Sequence, residues 1–313
     1  MLSTMKRPAG RRHNQSNNRY FTTEAQSSQS METTARKIAK IIEPQPVVEG
    51  AGVRLKRSIG TRTLDHVDPF LLLDDFTSKN PADYQAGFPL HPHRGIETVT
   101  YLLSGAVRHK DTLGNSGEIG AGEVQWMTAG RGIMHEEMPQ ARPEGIVGFQ
   151  LWVNLPAKLK MTQPRYQNIS ANEIPEIPRD GGATIRIIAG IVDGVTGPVG
   201  GIAAEPTYLD ISLAPGGSFI HSIPRGHAAF AYIFEGAARF GGEDSAVVTG
   251  PRLVVLGDGD TVEVRAGNSP ARFLLVSGKP LNEPIARYGP FVMNTREEIE
   301  QTLRELQQGT FAR

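Results

Sequence analysis

The chain has 313 residues, 33 Lys+Arg against 33 Asp+Glu, and no cysteine. A formal charge of zero argues against a protein that holds nucleic acid or an anionic membrane by its overall field. The missing thiols exclude disulfide scaffolds, thiolate metal sites, CxxC redox chemistry and cysteine nucleophiles together.

Residues 1–30 carry Lys6, Arg7, Arg11, Arg12 and Arg19 against Glu24 alone, with Asn and Ser and little apolar periodicity. Such a stretch buries too little surface to offset its ordering entropy, so a disordered basic tail is expected over residues 1–36. It lacks the apolar core of a secretory signal and shows no amphipathic helix of a transit peptide. Met31 stands near where order is expected to begin and is an alternative start.

From Lys37 onward short β-rich runs recur, among them Thr98–Leu103, Ile146–Val153, Ile185–Ile188, Tyr208–Leu213 and Phe273–Val276. The chain's 35 Gly and 22 Pro, about 18% of residues against a typical ~12%, separate these runs at the spacing of an all-β sandwich or barrel. Pro175, Pro178, Gly181 and Gly182 mark a linker. The expected domains are residues 37–169 and 170–313. No apolar run approaches the roughly 18 residues of a membrane-spanning helix, so a soluble protein is expected, cytoplasmic by default or nuclear in a eukaryote.

Two histidine patterns stand in the first half. His91-x-His93 enters a strand-like run, and residues i and i+2 of a strand share a face. His135-x-Glu137 has the same parity, 42 residues after His93. Three imidazoles and one carboxylate suit Fe(II), Mn, Co, Ni, Cu or Zn. A HExxH zincin is excluded, because no histidine follows at the required spacing. Structural zinc is disfavoured without thiolates. Glu97 is a ligand or, as preferred here, an acceptor that orients a histidine. Glu136 has the opposite parity and faces away. Arg94 anchors an anionic substrate or plays a structural part, and His109 is an exposed or hydrogen-bonded histidine. Trp126, Met127, Met134 and Met138 line an aromatic pocket or simply fill the core. No phosphate loop, dinucleotide fingerprint or nucleophile elbow is present.

The stretch 91–108 repeats without a gap 131 residues later, at 222–239. Arg-Gly, Tyr, Gly-Ala and Arg coincide, whereas His91, His93 and Glu97 become Ser222, Pro224 and Ala228. Two similar β domains in tandem are implied, with the metal chemistry in the first only. At the C-terminus Thr295 and Glu298 form a capping box, Gly309 a stop, and Ile299, Leu303 and Leu306 one apolar face, predicting a helix that packs on a barrel.

These motifs resemble the pirin family, a bicupin branch of the cupin superfamily. The resemblance rests on His91–Tyr101, Gln125–His135, Asp68–Phe76 and Arg287–Thr295, and runs from about residue 40 to the terminal helix. It implies two tandem cupin (jelly-roll) barrels with a metal, most commonly Fe(II), in the first, held by His91, His93, His135 and Glu137. It also implies that Glu97 is not a ligand. Two functions are associated with such proteins. One is quercetin 2,3-dioxygenase activity on a flavonol and O2, with Glu137 accepting the 3-hydroxyl proton, the central ring opened and carbon monoxide released. The other is metal- or redox-dependent binding of a transcription-factor or enzyme partner without turnover. A third option is that flavonol cleavage is incidental to another native substrate. A monomer without direct nucleic-acid or membrane contact is expected.

Overall fold

The computed structural model describes residues 33–312 except Glu243. The tail expected over residues 1–30 and the start at Met31 lie outside the described residues. Residues 34–36, counted with the tail in the sequence, are tied into the fold. Thr34 N donates to Asp260, Arg36 N donates to the Thr261 carbonyl, and the Arg36 side chain is buried. Its guanidinium reaches the carbonyls of Pro224, His227 and Gly257, contacts between residues far apart in sequence that composition does not reveal.

The fold is all-β, as expected, built as two cupin barrels. Each combines a seven-stranded and a four-stranded antiparallel sheet. In the first barrel the larger sheet runs, in spatial order, Arg165–Ile169, Val124–Thr128, Ile96–Ser104, Val147–Asn154, Phe70–Asp75, Val53–Ile59 and Gln45–Glu49. The smaller holds Phe88–His93, Ile133–Gln140, Ala106–Asp111 and Ser116–Ile119. In the second barrel the larger sheet begins with Ile38–Ile42 beside Arg252–Leu256 and ends with Glu176–Arg179. Strand Ile38–Ile42, which precedes the first barrel in sequence, therefore belongs to the sheet of the second.

The two large sheets pack face to face. Period-2 alternation sends Val99, Tyr101, Trp126, Phe149 and Leu151 of one into a shared core with Tyr208, Phe230, Tyr232, Leu274 and Val276 of the other. The barrel interiors differ. Ile185, Ile187, Leu209, Ile211, Phe240, Val254, Phe273 and Leu275 fill the second with apolar side chains. The first has a smaller apolar group, including Val53, Leu55, Phe76, Leu102 and Val107, and leaves a cavity.

One α-helix, Arg296–Gln307, ends the described chain. Glu298 N donates to Thr295 Oγ1 and Thr295 N to Glu298 Oε2, the reciprocal cap expected from the sequence. Ile299 is buried, with Leu303 and Leu306 partly so, against Phe291, Met293 and Phe311.

Candidate metal centre and its cavity

Strands Phe88–His93 and Ile133–Gln140 are neighbours, and their register sets His91 directly opposite His135. Along the second strand burial alternates strictly. Ile133, His135, Glu137 and Pro139 point inward and Met134, Glu136, Met138 and Gln140 outward. The register slips between His135 and Glu137, a bulge that places Glu137 opposite Phe88. Gly95, two residues past the first strand, has φ +79, and a Cβ there would lie 1.9 Å from the Val292 carbonyl oxygen, so only glycine lets the C-terminal segment approach.

One nitrogen each of His91, His93 and His135 lies within 4.8 Å of the others. His91 Nδ1 is 3.0 Å from the Pro89 carbonyl oxygen, which only accepts, so the proton resides on Nδ1 and Nε2 presents a bare lone pair. That Nε2 is 3.0 Å from His93 Nε2. His135 is buried, and neither of its ring nitrogens has a hydrogen-bond partner among the described residues. Burial, reinforced by the His91 and His109 imidazoles, pushes His135 down to about 3. Burial beside His135 and His91 takes His93 well below the ordinary imidazole range. Both rings are therefore neutral, with lone pairs available. Two nitrogens that share an ion about 2.1 Å away at right angles stand about 3.0 Å apart, so this spacing and the orphaned imidazole fit a divalent metal ion.

Glu137 lies on the same wall. Its Oε2 is 3.9 Å from His135 Nε2, while Oε1 is 3.1 Å from the Thr100 hydroxyl. Burial raises its proton affinity, opposed by the His91 imidazole and the Thr100 hydrogen bond.

The other residues singled out from sequence stand elsewhere. Arg94 is not in the cavity. Its Nη1 donates to Thr302, Nη2 to Glu305 at 2.6 Å and Nε to the Arg131 carbonyl, and it stacks on Phe311. Glu97 shares the parity of Val99 and Tyr101, and its carboxylate accepts from Thr128 at 2.7 Å rather than orienting a histidine. Burial raises its proton affinity against that hydrogen bond. Trp126 is buried in the core between the barrels, and Met134 packs outward with the C-terminal helix. His109, expected to be exposed or hydrogen-bonded, is 6% exposed, opposite Glu137 across the strands, with Nδ1 unpartnered.

The aromatic residue packed on His93 is Trp152, edge-on with ring centroids 5.2 Å apart. The cavity, of about 410 Å³, is bounded by His91, His93 and Glu137 on one side. Leu72, Phe76, Phe88, Val107 and Pro139 supply its apolar lining. Thr100, Gln150, Asp74, Arg57 and Glu49 form a polar strip, and Arg287 and Pro290 come from the C-terminal segment. Sequence reading passed over these positions because their direction depends on which face of the sheet is enclosed. The one available cue was the pair Asp74–Asp75 ending an apolar run.

Comparison with known families and structures agrees with this geometry. Residues 52–153 match the Pirin family model, and residues 208–312 that of the Pirin C-terminal cupin domain. A pirin-like protein from Caulobacter vibrioides is 46% identical over 277 residues, covering 88% of this chain and 99% of its own. Human pirin is 43% identical over 275 residues, 86% and 92% respectively. The crystal structure of quercetin 2,3-dioxygenase from Acinetobacter baumannii superposes with a TM-score of 0.80 at 35% identity, over 89% of this chain and 99% of that one.

Proposed function

Because this chain belongs to the pirin family, we propose that it is a mononuclear non-haem iron dioxygenase of the quercetin 2,3-dioxygenase type, acting on a flavonol-like aromatic and O2 in the first barrel. His91, His93, His135 and Glu137 would hold the metal. The observation that carries the reading is the convergence of three imidazoles beside a cavity large enough for a drug-sized aromatic. When bound, the ion supplies the Lewis acidity and redox capacity that ring opening by O2 requires. The chain's own residues bind and orient. Trp152 stands edge-on to His93 and narrows the cavity beside it to suit a flat ring, while Leu72, Phe76 and Phe88 keep water from its faces. The Thr100 hydroxyl holds Glu137 by Oε1, which leaves Oε2 as the atom placed to accept the phenolic proton. The similarity to a structure named quercetin 2,3-dioxygenase supports this substrate class.

The test compares wild type with His91→Ala. Bound metal is measured first, then loss of quercetin absorbance and carbon monoxide release under air after Fe(II) loading. Metal-dependent turnover that disappears in the variant is expected. Stoichiometric metal without turnover rejects the flavonol reading and transfers the weight to metal-dependent partner binding. A wild type that takes up no metal rejects the centre itself.

A further inference from the structure

The large sheet of the first barrel carries one polar side chain per strand at a single register level. Asn168 pairs with Gln125, Gln125 with Thr100, Thr100 with Gln150, Gln150 with Asp74, Asp74 with Arg57, and Arg57 with Gln45. The level above and the level below, two residues along each strand, are largely apolar. On one side run Thr98, Trp152 and Leu72; on the other Leu102 and Gly148 stand beside Phe76. A polar belt between apolar layers inside a barrel is costly unless its groups are paired. Most of this belt is paired. Gln125 Nε2 donates to Asn168 at 2.9 Å, and Arg57 holds Asp74 through two bonds of 2.8 and 2.7 Å and Glu49 through a third of 2.7 Å. The Thr100 hydroxyl, whose one proton serves Glu137, stands 2.7 Å from the Gln150 amide. The carboxylates of Asp74 and Glu49 keep lone pairs beyond those that Arg57 engages. All four of Thr100, Gln150, Asp74 and Arg57 line the cavity.

We propose that this belt is a recognition strip for a planar, multiply hydroxylated aromatic. Its rings face the apolar layers while its hydroxyls lie in the polar one. This deepens the reading of the cavity as the reaction site and rests on it. One end of the strip is Thr100 with Glu137, where the reacting hydroxyl belongs. The other end is Asp74, Arg57 and Glu49, where hydroxyls on a pendant ring donate to carboxylates held in place by the guanidinium. Adjacent strands are about 4.8 Å apart, so Thr100 and Arg57 are separated by three spacings, roughly 14 Å, the reach of a fused bicycle with a third ring attached. Same-face levels are roughly 7 Å apart, which admits one aromatic layer and excludes a stack of two. Asp74 and Glu49 are the specificity-determining residues because a carboxylate facing an analogue without hydroxyls loses its water and gains no donor.

The experiment uses three flavonols that differ only on the pendant ring: galangin without hydroxyls, kaempferol with one, quercetin with two. Their affinities for the metal-loaded protein are measured by calorimetry without oxygen, then compared in Glu49→Gln and Asp74→Asn. Wild type is expected to prefer quercetin to galangin at least tenfold. Either variant is expected to shrink that preference to threefold or less, by weakening quercetin and relieving the desolvation that galangin imposes. Glu49→Gln, altering the more exposed carboxylate, keeps the test decisive where loss of Asp74 disturbs folding. Equal affinities in wild type, or a preference that both variants retain, overturns the strip. Turnover is followed separately under air. Discrimination without turnover sinks the dioxygenase reading alone, and equal binding with turnover of all three sinks the strip alone.

Discussion

Lys160 is 1% exposed and ties three separate segments to one another. Its Nζ donates to the Gly95 carbonyl at 3.0 Å, to Asn154 Oδ1 at 2.8 Å and to the Val292 carbonyl at 2.9 Å. An ammonium has three donors, and here each has an acceptor, whereas a neutral amine would leave one oxygen unserved. Burial lowers Lys160 to about 8, so it keeps its proton at neutral pH. Lys160→Met preserves the length of the stem and abandons three acceptors. We expect it to lower stability by about 3 kcal/mol, read as a lower urea midpoint at unchanged slope. A loss under about 1 kcal/mol would show that water or backbone shifts replace the lysine. Nothing in Ala157-Lys-Leu-Lys160 distinguishes this lysine from the exposed Lys158 two positions earlier, because the acceptors come from residues 65 before and 132 after it. The same limit governs the two tryptophans. Strand membership was legible for Trp152, within Ile146–Val153, but which face is enclosed follows from the packing of whole sheets. Hence Trp126, for which pocket and core were both open, fills the core, and Trp152 takes the cavity. His91, His93, His135 and Glu137 could be grouped from sequence because parity within one strand is local.

At the scale of elements, the C-terminal segment buttresses both strands that carry the imidazoles. The hairpin Ala286–Tyr288 and Phe291–Met293 meets the turn after His93. Val292 N donates to the Arg94 carbonyl, and Arg287 stacks over Trp152 with its guanidinium 5.1 Å from the ring. The helix receives the Arg94 side chain on Thr302 and Glu305, while Phe311 packs on Gly132, three residues before His135. The capping box announced this helix, but its docking surface is set by Arg94, some 200 residues upstream, which no local pattern encodes. Arg94 is accordingly a positioning residue for the turn that follows His91 and His93. We expect Arg94→Gln to weaken metal affinity by about tenfold, the usual cost of losing a group that orients a ligand strand. The visible spectrum of the Co(II)-loaded variant should change as well. Glu300→Gln, in the exposed pair with Arg296 on the same helix, should leave both unaltered. Equal loss of affinity in the two variants, or none in either, would place Arg94 among ordinary packing contacts.

Across the whole molecule the repeat explains a pair of tyrosines that the chemistry leaves unused. Tyr101 and Tyr232 coincide in the two copies, and each donates to an aspartate of the opposite barrel: Tyr101 to Asp210 at 2.7 Å, Tyr232 to Asp75 at 2.8 Å. The registers match, since Asp75, Phe149 and Tyr101 form one row and Asp210, Leu274 and Tyr232 the other. Strand exchange follows the same pseudo-two-fold rule. Ile38–Ile42, preceding the first repeat, joins the second barrel, and Arg165–Ile169, preceding the second repeat, joins the first. Each exchanged strand also brings a buried cation to the turn of the barrel it joins, Arg36 to Pro224 and Lys160 to Gly95. Two barrels that share a core and trade edge strands have no independent folded state, because parting them exposes the apolar faces of both large sheets. The metal-free protein should therefore unfold in urea as one cooperative unit. Both tryptophans are carried by strands of the first barrel, Trp126 facing the core shared with the second, so their emission reports that barrel and its contact with its partner, while far-UV circular dichroism reports both barrels throughout. The two curves should superimpose. Tyr101→Phe and Tyr232→Phe should each cost about 1–2 kcal/mol and shift both curves together, since each removes a hydrogen bond to a buried carboxylate. Separate transitions, or a tyrosine variant that moves one probe alone, would mean that the barrels fold apart and that the exchanged strands merely decorate their edges.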